Sequence, residues 1–237
     1  MILQYEDSIN IFTDASLVKT RDYTLVCPGE VVVYNGGTLH FNADIFCDAT
    51  IAYGEAYALA KGIELGLELN KSIFKSTKNI NVFSDSEISV SGCTSWLNNW
   101  YKRGKNDKIL MTGSGRKEVA NMELFLGIIH TVISNNMDIH IYNILGHCRE
   151  RNVQSMDEFR KYFIKANKMP NTDIPIHYLQ EMCKFNNYVD EMSRDCARRI
   201  TYGKTFDAEF FKKKKIPGIY WYPNQEQIQS YNQLVNQ

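Results

Sequence analysis

Four acidic residues stand at points of the sequence from which each can be aimed at one place. Asp14 ends an alternating apolar stretch, Ile9-Asn10-Ile11-Phe12-Thr13. Alternation of this kind reads as a half-buried strand, and an acid where it stops sits half supported by the core and half wet. Asp85 closes a second such stretch, Asn79-Ile80-Asn81-Val82-Phe83-Ser84. Glu55 falls in the first turn of one helical stretch and Asp190 within another. An isolated acid after a strand is more often a turn residue or a helix cap, so the weight rests on the quartet. Four converging carboxylates need cations, and hard oxygen ligands suit Mg²⁺.

The elements that must position these acids follow from periodicity. After the first strand come an extended stretch over 23–34, broken by Pro28-Gly29, and another over 36–46 entered through Asn35-Gly36-Gly37. Their β-branched content and the turn predict an antiparallel meander. Over 49–69 the period changes: Ala56, Leu59, Ala60, Ile63 and Leu67 share one helical face, small enough for close packing on a sheet. The next strand, 79–84, is then a parallel neighbour of the first, so Asp14 and Asp85 end adjacent strands at the same edge. Helices are predicted over 87–92, 94–103, 121–135, 155–168 and 186–200, with a strand over 138–145 closed by Gly146-His147.

Bulk composition excludes less. The 237 residues and 44% hydrophobic content fill a core, and 27 basic against 27 acidic residues mean that any nucleic-acid surface must come from local clustering. Six cysteines lie scattered without a Cys-x-x-Cys pair, and no apolar leader opens the chain. The expectation is a reducing cytoplasm and no membrane partner. Cys148, His177 and Cys183, with His147 and Cys196, match no familiar zinc spacing. Residues 112–117 lack the spacing of a phosphate-binding loop.

The order of elements and acids resembles type 1 ribonuclease H, of the ribonuclease H-like superfamily. The matching pieces are Phe12-Thr13-Asp14-Ala15-Ser16, Glu55-Ala56-Tyr57-Ala58-Leu59, Phe83-Ser84-Asp85-Ser86, Trp96 to Gly104, Lys117 to Asn121, Gly146-His147 and Asn186-Asn187-Tyr188-Val189-Asp190. The resemblance implies an α/β fold, a five-stranded mixed sheet with the first three strands antiparallel and helices on both faces. It implies an endonuclease that cuts the RNA strand of an RNA–DNA hybrid with two Mg²⁺ ions, Mn²⁺ being a substitute. Asp14 would bridge both ions, Asp190 would share the one that activates water, and Glu55 and Asp85 would complete the other, while His147 would assist proton transfer or product release.

Trp96 and Trp100, four apart, are followed by Lys102, Arg103 and Lys105. Aromatics beside a cationic loop suit deoxyribose and phosphate contacts. By resemblance this is the family's basic protrusion, about 94–119, and Ser16, Thr50 and Asn121 join it as substrate contacts. Three positions depart from the pattern. Ile51 and Ala52 stand where two amides read the minor groove and the RNA 2′-hydroxyl, and Asp48 replaces a phosphate-binding arginine. Residues 1–200 are thus expected to form the ribonuclease H domain, with an insertion about 148–184, and 201–237 a C-terminal extension that is a candidate protein contact. Two other readings stay open: a nuclease of this fold acting on duplex RNA or structured DNA, and a non-catalytic nucleic-acid-binding module.

Overall fold

The computed structural model describes residues 3–19, 21, 23–75, 78–104, 110, 112, 117–148, 156–170, 173–201 and 223–235. Six strands form one sheet: β1 Ile9–Lys19, β2 Thr24–Tyr34, β3 Gly37–Ala43, β4 Phe46–Cys47, β5 Ile80–Ser84 and β6 Ile139–Asn143. The order is β3-β2-β1-β5-β6, with β4 paired to β2 alone. β1, β2 and β3 are antiparallel, and β5 and β6 are parallel to β1. The mixed sheet expected from the sequence is present, with one short strand more because Asp44 and Ile45 interrupt the 36–46 stretch. That interruption accommodates Pro28, which has no N–H to give: its carbonyl accepts from Asp44 N at 2.9 Å, in the gap between the β3 and β4 pairings.

Both faces of the sheet are covered. On one, Ile9, Ile11, Val32, Val82 and Ile141 pack with α1 Ile51–Ser72, α2 Glu87–Cys93, α3 Leu97–Gly104 and α4 Met122–Asn135. On the other, Phe12, Val31, Phe83 and Tyr142 pack under α5 Met156–Ala166 and α6 Ile176–Thr201. Thr50 caps α1, its hydroxyl oxygen accepting from Tyr53 N at 3.1 Å. Gly62 and Gly66 then let α1 lie directly on β1, where any larger side chain would strike Ile11.

Three boundaries differ from the sequence reading. β1 does not stop at Asp14 but runs to Lys19, because β2 continues to pair with it as far as Thr24. α6 begins at Ile176, ten residues before the expected start, so 176–184 belongs to the helix that carries Asp190. The residues near the C-terminus return to the domain. α7, Gln225–Leu234, buries Ile228 and Tyr231, and Tyr231 Oη donates to the Cys93 carbonyl at 2.8 Å. No helix among the described residues is long and apolar enough to cross a membrane.

Candidate active site

The last paired residues of the β1–β5 ladder are Thr13 and Ser84. Asp14 is the next residue on β1 and Asp85 follows directly after β5, so parallel register alone places the two acids side by side. β1 goes on, paired only with β2, and Asp14 is 5% exposed within it. Across from Asp14 in the antiparallel ladder stands Gly29. A Cβ on Gly29 would meet Ser193 and Met192 of α6. Its absence allows α6 to cross the sheet at Asp14's own register, which carries Asp190 to the same edge. Glu55, one turn into α1, reaches it from the opposite face.

One carboxylate oxygen from each of Asp14, Glu55 and Asp85 lies within 4.8 Å of the others. Among the described residues this is the group able to hold a metal ion. Asp190 and His147 line the same cleft with Ser16, Ile51, Arg194 and Arg198. His147 Nδ1 is 3.7 Å from Asp190 Oδ2, and Arg194, one turn along α6, is ion-paired with that oxygen. His147 holds its place with a left-handed backbone, φ 49°. The preceding Gly146 packs so closely on Asp85 that a Cβ there would overlap the carboxylate.

Electrostatics make the acids unhappy neighbours. Burial first, then the charges of Asp85 and Asp190, hold the Asp14 carboxyl well above its ordinary range. Glu55 is likewise held above its ordinary range, by burial first, then by Asp14 and Asp85. Asp14 and Glu55 meet in a buried site, and Glu55 Oε2 is buried with no hydrogen-bond partner. An all-oxygen, poorly solvated donor set with an orphaned carboxylate oxygen fits a hard divalent cation.

These shifts set a pH dependence. A carboxyl raised on folding stabilises the protein fully below its unfolded value, near 4, and loses that contribution as pH rises through the folded value. Metal-free protein should therefore melt at a lower temperature at pH 8 than at pH 5.5. A divalent cation competes with the protons and should reverse the trend, raising the midpoint at pH 8 by about 5–10 °C at roughly a hundred times its Kd and by less at pH 5.5. Scanning calorimetry with EDTA or MgCl₂ checks this; equal Mg²⁺ effects at both pH values would contradict it.

The remaining sequence-selected residues are more dispersed. Trp96 is 37% exposed in the turn before α3, whereas Trp100 is 8% exposed and packs edge-on to Phe125, ring centroids 5.2 Å apart. Only Trp96 therefore offers a face to a ligand. Lys102 and Arg103 are exposed on α3, and Lys105 lies outside the described residues. Asn121 precedes α4 in a left-handed conformation, with no side-chain capping bond. Asp48, also left-handed, accepts from Thr24 N at 3.5 Å. Arg194 and Arg198 were not singled out from the sequence; their signal is spacing, four and eight residues after Asp190 on the same helical face.

No family model matches the sequence, and no curated protein matches it. Among solved structures the chain is similar to the protease-reverse transcriptase of prototype foamy virus, at 16% identity over 70% of this chain and 21% of that one, with a TM-score of 0.47. It is similar to LC11-RNase H1 in complex with an RNA/DNA hybrid, at 23% identity over 67% of this chain and 99% of that one, TM-score 0.42. It is likewise similar to LC9-RNase H1, at 15% identity over 70% and 76% of the two chains, TM-score 0.43. The chain spans about a fifth of the viral protein, 20% in its complex with RNA/DNA hybrid.

Proposed function

We propose that the protein is a divalent-metal-dependent endonuclease that hydrolyses the RNA strand of RNA–DNA hybrids. The observation that carries this reading is the meeting of Asp14, Glu55 and Asp85 at one sheet edge, with Asp190 on the wall of the same cleft. Asp14, Glu55, Asp85 and Asp190 would hold two Mg²⁺ or Mn²⁺ ions. Bound there, the ions would activate water and stabilise the charge on the leaving oxygen.

The chain's own residues have separable tasks. Asp14 and Glu55, whose carboxyls burial raises, would give up their protons when a cation binds and present carboxylates in a site that solvates them poorly. Arg194 steadies Asp190 at the cleft wall, and Arg198 offers a cation to a phosphate entering there. His147, exposed on a constrained loop beside Asp190, is placed to carry a proton between the cleft and solvent. Ser16 lies on the cleft wall near the reacting strand. On the DNA side, Trp96, Lys102, Arg103 and Lys105 supply a stacking face and phosphate contacts. Thr50 and Asn121 add polar groups, the Thr50 hydroxyl keeping its hydrogen to donate while its oxygen caps α1.

A second substrate class has one observation in its favour. Ile51, 40% exposed and lining the cleft, presents an apolar side chain where reading a 2′-hydroxyl needs an amide. Duplex RNA or structured DNA is the corresponding alternative. The deciding experiment incubates end-labelled hybrid, duplex RNA and duplex DNA with the protein, with Mg²⁺ or with EDTA. The expected result is Mg²⁺-dependent cleavage of the hybrid's RNA strand at least about tenfold faster than either duplex, the discrimination of roughly one lost polar contact. Faster cleavage of a duplex would replace the substrate; cleavage of none would leave a binding module.

A further inference from the structure

Beside the acidic cleft opens a larger one, about 770 Å³, which shares Trp96 with the proposed DNA contacts but whose other lining residues the proposed function does not use. Glu87, Thr94 and Trp96 form one wall, Lys165 and Lys168 at the end of α5 the other, and β6 from Ile141 to Asn143 lines it between them. It starts at the acidic edge: Asn143 pairs in register with Ser84, the residue before Asp85.

α5 is fixed against this edge by amides. Asn143 N donates to Asn167 Oδ1 at 2.7 Å, Asn167 Nδ2 donates to the Asn143 carbonyl at 2.8 Å, and Tyr162 Oη donates to Asn143 Oδ1 at 2.6 Å. The Asn167 side chain thus takes the place of a neighbouring strand, so an added strand is not what this edge receives. The pinning also holds both lysines at the cleft. Lys168 occupies the left-handed residue that closes α5, φ 51°, with Met169 N donating to the Ile164 carbonyl at 3.0 Å. Glycine is the usual occupant of that position. The lysine there brings to the cleft a charge that glycine would not. Opposite it stands Trp96, among the large apolar side chains that the described residues leave exposed.

We propose that this cleft binds an unpaired nucleic-acid strand continuing from the acidic site, with a base stacked on Trp96 and phosphates held by Lys165 and Lys168. Glu87, at the end nearest Asp85, disfavours a phosphate beside it and so directs the backbone toward α5. The direction of the strand rests on the nuclease reading, but its binding does not require catalysis.

The test measures anisotropy of labelled oligothymidylate and oligouridylate in EDTA, over a range of salt, for wild-type protein, Trp96→Ala and the double variant K165A/K168G. Removing two phosphate contacts should reduce the slope of log K against log salt by about 1.4, at about 0.7 per contact. Losing the stacking face should weaken binding about tenfold. The double variant should melt no lower than wild type, since glycine suits the left-handed position, and should cut blunt hybrid as before. Binding of either oligonucleotide with these changes supports the cleft, and the preference between them names the strand. An unaltered slope and affinity in the variants, or no binding by wild type, overturns it. If the oligonucleotides bind as expected while no hybrid is cut, the cleft stands and the nuclease reading falls.

Discussion

Asp85→Asn should abolish cleavage while leaving the metal-free protein more stable, two results that ordinary damage to a fold does not give together. The substitution keeps the shape and removes one charge. That charge raises both Asp14 and Glu55, so its loss relieves repulsion, and about 1 kcal/mol of relief corresponds to a melting temperature higher by roughly 2–4 °C. The same loss weakens the hold on cations, and a barrier higher by about 4 kcal/mol slows hydrolysis about a thousandfold. Hybrid affinity in EDTA should be retained. Cleavage within tenfold of wild type would remove Asp85 from the site.

Gly146→Ala should slow cleavage by about a hundredfold, the effect of displacing a reacting group by about 1 Å, without unfolding the protein. The backbone at Gly146 is not left-handed, so alanine is acceptable there in itself; the obstacle is the Asp85 carboxylate, onto which the new Cβ would fall. Either Asp85 turns away from Asp14 and Glu55, or the loop shifts and takes His147 with it. A kcat that falls with little change in melting temperature supports this account. Unchanged kcat would mean that the loop gives way freely and that Gly146 does not set Asp85.

Much of the fold follows from local pattern. The strand-helix-strand order around α1 makes β1 and β5 parallel neighbours, and that relation predicts Asp14 beside Asp85 before any coordinates. What depended on distant residues was harder to read. β1 outlasts Asp14 because β2 pairs with it further than β5 does. Trp100 is buried because Gly92, on another helix, leaves room for it against Phe125. The start of α6 fell inside the stretch expected to be an insertion, although Leu179, Met182, Phe185 and Val189 recur at helical steps and are all buried. α7 and the residue after it carry the same kind of signal in Ile228, Tyr231 and Val235, buried in a stretch whose glutamines and asparagines read as a solvated tail. Arg194, not singled out from the sequence, had only its four-residue step from Asp190 to mark it. The approach of Glu55 to the strand acids was legible, from the small residues on one face of its helix; that Gly62 and Gly66 in particular set α1 against Ile11 was not.

Anomalous diffraction from crystals grown in MnCl₂ tests most directly whether these carboxylates are a metal centre. The expected map has manganese peaks coordinated by Asp14, Glu55 and Asp85, with Asp190 turned from Arg194 toward the metal. Manganese bound elsewhere, with Asp14, Glu55 and Asp85 holding none, would contradict the account.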